Sequence, residues 1–153
     1  MSMKAEIINP FLEATISALK TMAHVDPVPG KAYIKKGSVS KGDVSGIVGI
    51  TGDTEGSLSI PFSGGCILHI VGQMFGEKLD TINDEIKDAV GELTNMISGD
   101  SRRRLEEIGY HFLGAVPTVI SGPGHEVRPI TKGPILSFPY QHSGWTLYCG
   151  GLF

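Results

Sequence analysis

The sequence predicts an α+β fold, with one long helix and two shorter helices packed on a largely antiparallel sheet. Three observations predict it: an apolar helical period sustained over residues 83–108, a glycine-punctuated hairpin over residues 44–62, and a series of short β-like runs after Gly109. At 153 residues the chain suits a single domain spanning 1–153, large enough to bury a core. Apolar residues make up 41% and charged residues 19%, which fits a soluble globular protein rather than a disordered one. The formal net charge of −3 provides no broad basic field, so neither nucleic acid nor anionic lipid is an expected partner. No apolar run reaches the length of a spanning helix, and the start lacks the basic-then-apolar pattern of a signal peptide. Cys66 and Cys149 lie far apart and form no CxxC pair, which points to a reduced, cytoplasmic protein.

The first helix is expected over residues 9–23, with Asn9 as N-cap and Pro10 in the first helical position. Phe11, Leu12, Ile16, Leu19 and Met22 recur there at helical spacing, and Pro27, Pro29 and Gly30 then break the pattern. Residues 31–35 can form a short strand. The hairpin follows: residues 44–50 are rich in Val, Ile and Gly, Gly52-Asp53-Thr54 turns the chain, and residues 56–62 alternate Leu58, Ile60 and Phe62. That alternation sets one apolar face against a core. Residues 66–75 read as a short buried helix, apolar at Ile67, Leu68, Ile70, Val71, Met74 and Phe75, with Gly76 as its stop. The longest helix runs from about residue 83 to 108 and closes at Gly109, with Asp84 and Glu85 where the helix dipole favours acids. Strands are expected at 112–121, 126–130, 135–140 and 145–150, separated by Pro-Gly and His-Ser-Gly punctuation. Residues 46–60 and 134–148 both look like a glycine-bearing hairpin, which a duplicated half-domain would explain and which unrelated hairpins also share.

The long helix carries the constellation best suited to chemistry. With Ile86 as zero and about 100° per residue, Val90, Leu93, Ile97 and Ile108 fall within roughly 40° of it and form the expected core stripe. Asp88, Glu92, Asn95 and Gly99 cluster on the opposite, solvent side. Glu92 and Asn95 are neighbours on that face, flanked by Gly91, Ser98 and Gly99, which carry little bulk. The helix thus presents a carboxylate and a carboxamide on a surface another protein can approach closely. An acid and an amide at this spacing are also common on solvated helices without function, and Ser98-Gly99-Asp100-Ser101 can equally mark a kink. Other candidates carry less. The five histidines show no HExxH or clustered spacing for a metal. Arg102-Arg103-Arg104 could touch phosphate or an acidic partner but, followed by Glu106 and Glu107, reads rather as a solvated, salt-bridged helix surface. Trp145 and Tyr148 read as packing residues.

Asp88-x-x-x-Glu92-x-x-Asn95, followed by Pro117 after a strand-like segment, resembles the signature of the CheC/CheX/FliY phosphatases: an acid or Ser, then Glu-x-x-Asn, then a later proline. Ile8-Asn9-Pro10-Phe11, residues 46–52 and 65–76, and Gly91-Glu92-Leu93-Thr94-Asn95 are similar to the CheX branch in the same order. The resemblance therefore spans nearly the whole chain. CheC-like members tend to carry two such motifs; here Glu13 in the first helix is followed by Ile16, not Asn, so the single motif favours CheX.

The resemblance implies a CheC/CheX-like fold and hydrolysis of the aspartyl phosphate of a CheY-like receiver domain, in chemotaxis or two-component signalling. It implies Glu92 and Asn95 as the catalytic pair, with Asn95 orienting the attacking water and Glu92 docking a receiver lysine. Asp88, Gly91, Ser98 and Gly99 become the partner-binding surroundings, with Asp88 assisting electrostatically. This chain is expected to bind no cofactor or metal of its own, the Mg²⁺ being supplied by the receiver. A homodimer joined at sheet edges is also implied. The competing readings are a non-catalytic receiver-binding module like the flagellar-switch middle domain, and a scaffold or sensor domain of the same fold.

Overall fold

Antiparallel pairing of short strands and burial of three apolar helix faces give the chain an α+β architecture. The structure, a computed structural model, describes residues 5–31, 33–35, 40–53, 55–127, 135–142 and 145–152. In chain order the elements are helix α1 (Ala5–Ala23), strands β1 (Val28–Pro29), β2 (Tyr33–Lys35), β3 (Ser40–Gly52) and β4 (Gly56–Phe62), helices α2 (Gly64–Phe75) and α3 (Asp84–Glu107), then β5 (Phe112–Gly114), β6 (Thr118–Val127), β7 (Ile135–His142) and β8 (Trp145–Leu152). The sheet order is β1-β7-β8-β4-β3-β5, with β2 also on β7 and β6 also on β3. Every pairing among the described strands is antiparallel.

The hairpin expected from the sequence is β3–β4, running from Val44 opposite Phe62 to Ile50 opposite Gly56. Thr54 of its expected turn lies outside the described residues. The second hairpin, β7–β8, abuts the first through β8 on β4, so the two segments with a shared pattern are neighbours in one sheet. Pro134, at the start of the second segment, lies outside the described residues.

Val44, Val48, Ile50, Leu58, Ile60 and Phe62 of the first hairpin are buried in one cluster with Phe11 and Leu19 of α1, Ile67 and Val71 of α2, and Ile86, Val90, Leu93, Ile97 and Leu105 of α3. Each such side chain contributes about 1.5–3 kcal/mol when fully removed from water. Cys66, at the start of α2, belongs to the same cluster as a free thiol, and burial pushes its pKa up to about 11. The Ser63 hydroxyl caps α2 by accepting from the Cys66 N–H, and Gly76 ends it in the left-handed region at φ 68°.

Several boundaries differ from the sequence reading. Helix α1 starts at Ala5, so Asn9 is not its cap and Pro10 lies inside it. The reason is tertiary: Ile7 and Ile8 pack against the core and extend the helix upstream, although Pro10 supplies no N–H to the carbonyl of Glu6. The helix stops at His24, whose φ of 52° lets the Val25 N–H reach the Leu19 carbonyl. Strand β1, opposite Tyr140 and Gln141, was not expected. The expected strand at 112–121 is split at residues 115–117, and the Ala115 N–H bonds the Gly49 carbonyl. The expected break at Gly122-Pro123-Gly124-His125 is instead part of β6. Residues 128–130 of the expected next strand lie outside the described residues.

Strand β6 absorbs that Gly-Pro-Gly run because β3 shifts register between Gly42 and Val44. Asp43, at the shift, accepts from the Gly124 N–H at 2.9 Å and the Gly64 N–H at 2.7 Å, tying β6 to the start of α2. Nearby, the Nδ1 of His125 lies 2.9 Å from the Gly122 carbonyl, which can only accept. In the neutral ring Nε2 is then the acceptor for the buried Ser45 hydroxyl, 2.7 Å away.

The Gly124 and Gly64 N–H groups, with a smaller contribution from His125, hold the Asp43 carboxyl below its ordinary pKa. A depressed folded-state pKa gives stability that is complete above the unfolded value of about 3.9 and lost as pH falls through the folded one. The urea midpoint should therefore fall as pH drops below about 5, and Asp43→Asn should flatten that fall when followed by circular dichroism. Identical pH profiles for the two proteins would show that Asp43 is not a contributing group.

Candidate functional site

The rigidity of the candidate site begins at the ends of α3. Asn83 caps it, its side-chain oxygen accepting from the Ile86 N–H at 3.1 Å, and Asp84 and Glu85 occupy the first turn. The helix runs unbroken through Ser98-Gly99 to Glu107. Its buried face comprises Ile86, Ala89, Val90, Leu93, Thr94, Ile97, Ser98, Ser101 and Leu105. This is wider and more polar than the predicted stripe. Ile108, expected in that stripe, is instead 51% exposed, because its φ of −108° takes it off the helical path.

The small polar residues on the buried face let α3 lie close to the sheet. Thr94 and Ser101 bond back to the carbonyls of Val90 and Ile97, so burial leaves neither hydroxyl unsatisfied. Opposite Thr94 is Gly46 of β3: a Cβ there would overlap the Thr94 hydroxyl and lie 2.9 Å from its Cβ. Opposite Ser98 is Gly114 of β5, where a Cβ would lie 3.0 Å from the Ser98 hydroxyl. A Cβ on Gly91 would stand 3.4 Å from Val119 of β6. The chain from Gly114 to Val119, which includes Pro117, therefore runs beside α3 from the turn of Ser98 to that of Gly91.

With α3 seated in this way, Asp88, Glu92 and Asn95 are all exposed on its outer ridge. None of the three makes a hydrogen bond or ion pair among the described residues. Gly91 and Gly99 are half-buried beside them. Ser98 does not belong to this exposed set. It is 1% exposed, and its hydroxyl lies 3.4 Å from Arg102 Nε, so its expected role as partner-contacting surface is corrected to a support beneath the ridge.

The arginine run divides. Arg103 pairs with Asp100 and Glu107, and Arg104 pairs with Asp100 and with Glu13 of α1. Burial pushes the Asp100 carboxyl up, but its hydrogen bonds and charge interactions with Arg104 and Arg103 outweigh this and hold it below its ordinary value. Arg102 instead lies against Gly114 and over Gly99, a placement the sequence reading missed. Its position on the same helical sector as Asn95 was the available signal. Leu113 and Val116, 72% and 88% exposed in the neighbouring segment, were also missed; no sequence pattern marks them as uncovered.

Two surface concavities, about 680 Å³ along α2 and about 600 Å³ between α3 and β5, leave Glu92 and Asn95 outside their linings. No group of three or more His, Cys, Asp or Glu among the described residues is placed to hold a metal. An open ridge of this kind suits a macromolecular partner better than an enclosed small ligand.

The fold and ridge together define a CheC/CheX-type α+β domain. The family model described as chemotaxis phosphatase CheX matches residues 44–141, which include the ridge and Pro117. The chain belongs to the CheX family. It is 31% identical over 138 residues to the CheY-P phosphatase CheX of Thermotoga maritima, covering 90% of this chain and 88% of that one. The crystal structure of a chemotaxis protein CheX from Desulfovibrio desulfuricans is 44% identical, with a TM-score of 0.90 over 96% of this chain and 98% of that one. CheX of Borrelia burgdorferi, solved as a complex with CheY, BeF3 and Mg²⁺, is 27% identical, with a TM-score of 0.77 over 95% of this chain and 96% of that one.

Gly91 and Gly99 are not demanded by the fold, since a Cβ on Gly99 meets nothing nearer than 3.9 Å and one on Gly91 is in ordinary contact. Gly99→Ala should therefore stabilise the protein by about 0.5–1 kcal/mol through helix propensity, measured by urea unfolding. Destabilisation instead would show that α3 needs the glycine for its own packing.

Proposed function

We propose that this protein hydrolyses the aspartyl phosphate of a CheY-like receiver domain, using the exposed Glu92–Asn95 ridge of α3. The observation that carries the reading is a carboxylate and a carboxamide on one helix face, uncommitted to hydrogen bonds among the described residues. Membership of the CheX family supports it, as do the CheY-P phosphatase named in Thermotoga and the CheX–CheY complex from Borrelia.

Phosphoryl transfer passes through a loose transition state, so positioning and charge stabilisation do most of the catalytic work. In the proposed complex the receiver holds Mg²⁺ with its own acids and contacts the phosphoryl oxygens with its own lysine and hydroxyl; this chain adds no cofactor. Asn95 contributes an oriented water. Its carbonyl oxygen accepts a hydrogen bond from that water while its NH₂ group donates to a phosphoryl oxygen. A carboxylate at this position would repel the phosphate. The water oxygen bonds to phosphorus, the bond to the aspartyl oxygen breaks with its electron pair, and the released protons pass to phosphate and solvent. Glu92 pairs with the receiver lysine and sets register, Asp88 adds negative potential on the same side, and Gly91 and Gly99 admit the receiver closely. The working form is a homodimer in which sheet strands of two subunits meet at an edge.

Decay of a phosphorylated cognate receiver, followed with and without the protein, tests this directly. The parent should accelerate decay, and Asn95→Ala should lose about 100-fold of that acceleration while still binding the receiver. Glu92→Lys should instead weaken docking, because it turns a like charge toward the receiver lysine. Acceleration by Asn95→Ala equal to that of the parent would remove the amide from the mechanism. Binding without acceleration by the parent would make the chain a receiver-binding module. In sedimentation equilibrium the protein should show about twice its chain mass of 16.3 kDa; a single-chain mass rejects the dimer.

A further inference from the structure

Arg102 is placed unlike the two arginines that follow it. Arg103 and Arg104 are neutralised by Asp100, Glu107 and Glu13, whereas no carboxylate among the described residues lies within ion-pair distance of Arg102. Glu106, one helical turn onward, borders the same groove without pairing with it. Two small residues make room for the guanidinium. Ser98 lies 3.4 Å from Nε, and a Cβ on Gly114 would stand 2.8 Å from Nε and 3.0 Å from Cζ, while a Cβ on Gly99 would be in ordinary contact with the terminal nitrogen at 3.9 Å. A side chain so seated loses little further freedom when it gains a partner, and a guanidinium presents several donors in a fixed plane suited to a carboxylate.

Its place on the helix gives this charge a direction. At about 100° per residue Arg102 falls within roughly 20° of Asn95, on the exposed ridge. The guanidinium turns back over Gly99, about one turn, or roughly 6 Å of rise, beyond Asn95. Glu92 and Asp88 lie on the other side of Asn95. Among the described residues the ridge is therefore bipolar, with unpaired carboxylates before the amide and an unpaired guanidinium after it.

We infer that Arg102 is a second docking residue, which takes a surface carboxylate of the phosphorylated receiver and, with Glu92, fixes the direction in which that partner lies along α3. This rests on the receiver-phosphatase reading, and it adds a specific demand on the partner: an acidic side chain about one helical turn beyond the phosphoryl group, opposite the side that meets Glu92. Arg102 acts in positioning, so its loss should appear in affinity and KM and leave kcat unchanged.

The test measures binding of a cognate receiver activated with BeF3 and Mg²⁺, together with single-turnover decay of the phosphorylated form. Relative to the parent, Arg102→Gln should bind about threefold more weakly and Arg102→Glu about tenfold, with Arg102→Lys recovering most of the affinity. Salt should weaken binding of the parent more steeply than that of Arg102→Gln. Reversing receiver surface acids one at a time to Lys should yield one that restores binding to Arg102→Glu while weakening binding to the parent, a result that a packing defect cannot give. Thermal melts identify any variant that is poorly folded, and Arg102→Lys and Arg102→Gln then carry the comparison. If the parent binds and accelerates decay while Arg102→Glu binds equally well, or if no reversed acid rescues it, the docking role is wrong and the phosphatase reading stands. A fall in kcat at unchanged affinity would also overturn it, by moving Arg102 to the chemistry. Failure of the parent itself to bind the receiver overturns both.

Discussion

Contact between Thr94 and Gly46 is the constraint from which the rest of the site follows. A side chain on Gly46 would overlap Thr94, so β3 and α3 can meet at this distance only with glycine there. The contact fixes α3 in rotation as well as distance. Thr94 points into the sheet with Val90, Leu93 and Ile97 around it, and Glu92 and Asn95 on either side are turned outward. A helix gripped in this way carries its exposed residues as a preformed array. Asn95 can be short, yet held in place, because the backbone beneath it is anchored by a neighbouring residue.

The same close packing accounts for the composition of the buried face. Larger apolar residues at 94 and 98 would bury more area but would hold the helix away from β3 and β5. Thr and Ser keep it near, and the buried Thr94 and Ser101 satisfy their hydroxyls on the preceding turn without demanding a partner from the sheet. Ser98 lies under Arg102, linking the packed face to the ridge. Asp100, Arg104 and Glu13 form a polar link between α3 and α1 at the helix margin. Exposed or half-exposed pairs of this kind contribute little individually, so the apolar cluster sets the position and the ion pairs refine it.

Much of this was legible in the sequence wherever one element carried its own signal. The extent of α3 follows from Asn83, the acidic first turn and Gly109; the ridge follows from the 3.6-residue period; the β3–β4 hairpin follows from alternation at Leu58, Ile60 and Phe62. Illegible features depend on two distant segments meeting. Pro10 looked like a helix start because the packing of Ile7 and Ile8 that extends α1 past it is tertiary. Gly122-Pro123-Gly124 looked like a turn because the register shift opposite, at Gly42 to Val44, lies eighty residues earlier in the chain. Ser98 looked like surface because polarity was read as exposure, and only Gly114 facing it discloses its burial. Periodicity placed Glu92 and Asn95 outward, while resemblance to a family supplied the chemistry proposed for them.

Helix stability alone does not explain the arrangement of charge along α3. The macrodipole favours acids in the first turn and bases in the last, which accounts for Asp84, Glu85 and Arg104. Its influence fades within about a turn. Asp88 and Glu92 lie beyond that range at one end, and Arg102 lies beyond it at the other. Nor do these residues support one another as i, i+4 pairs of opposite sign, since Asp88 and Glu92 carry like charges one turn apart and slightly destabilise the helix. Gly91 and Gly99 lower its propensity further. Asp88 and Glu92, as like charges, and Gly91 and Gly99, as weak helix formers, thus gather on one face around an amide that is unpaired among the described residues, in a helix whose other face is closely packed. Contact with the partner proposed for this face would offset that cost.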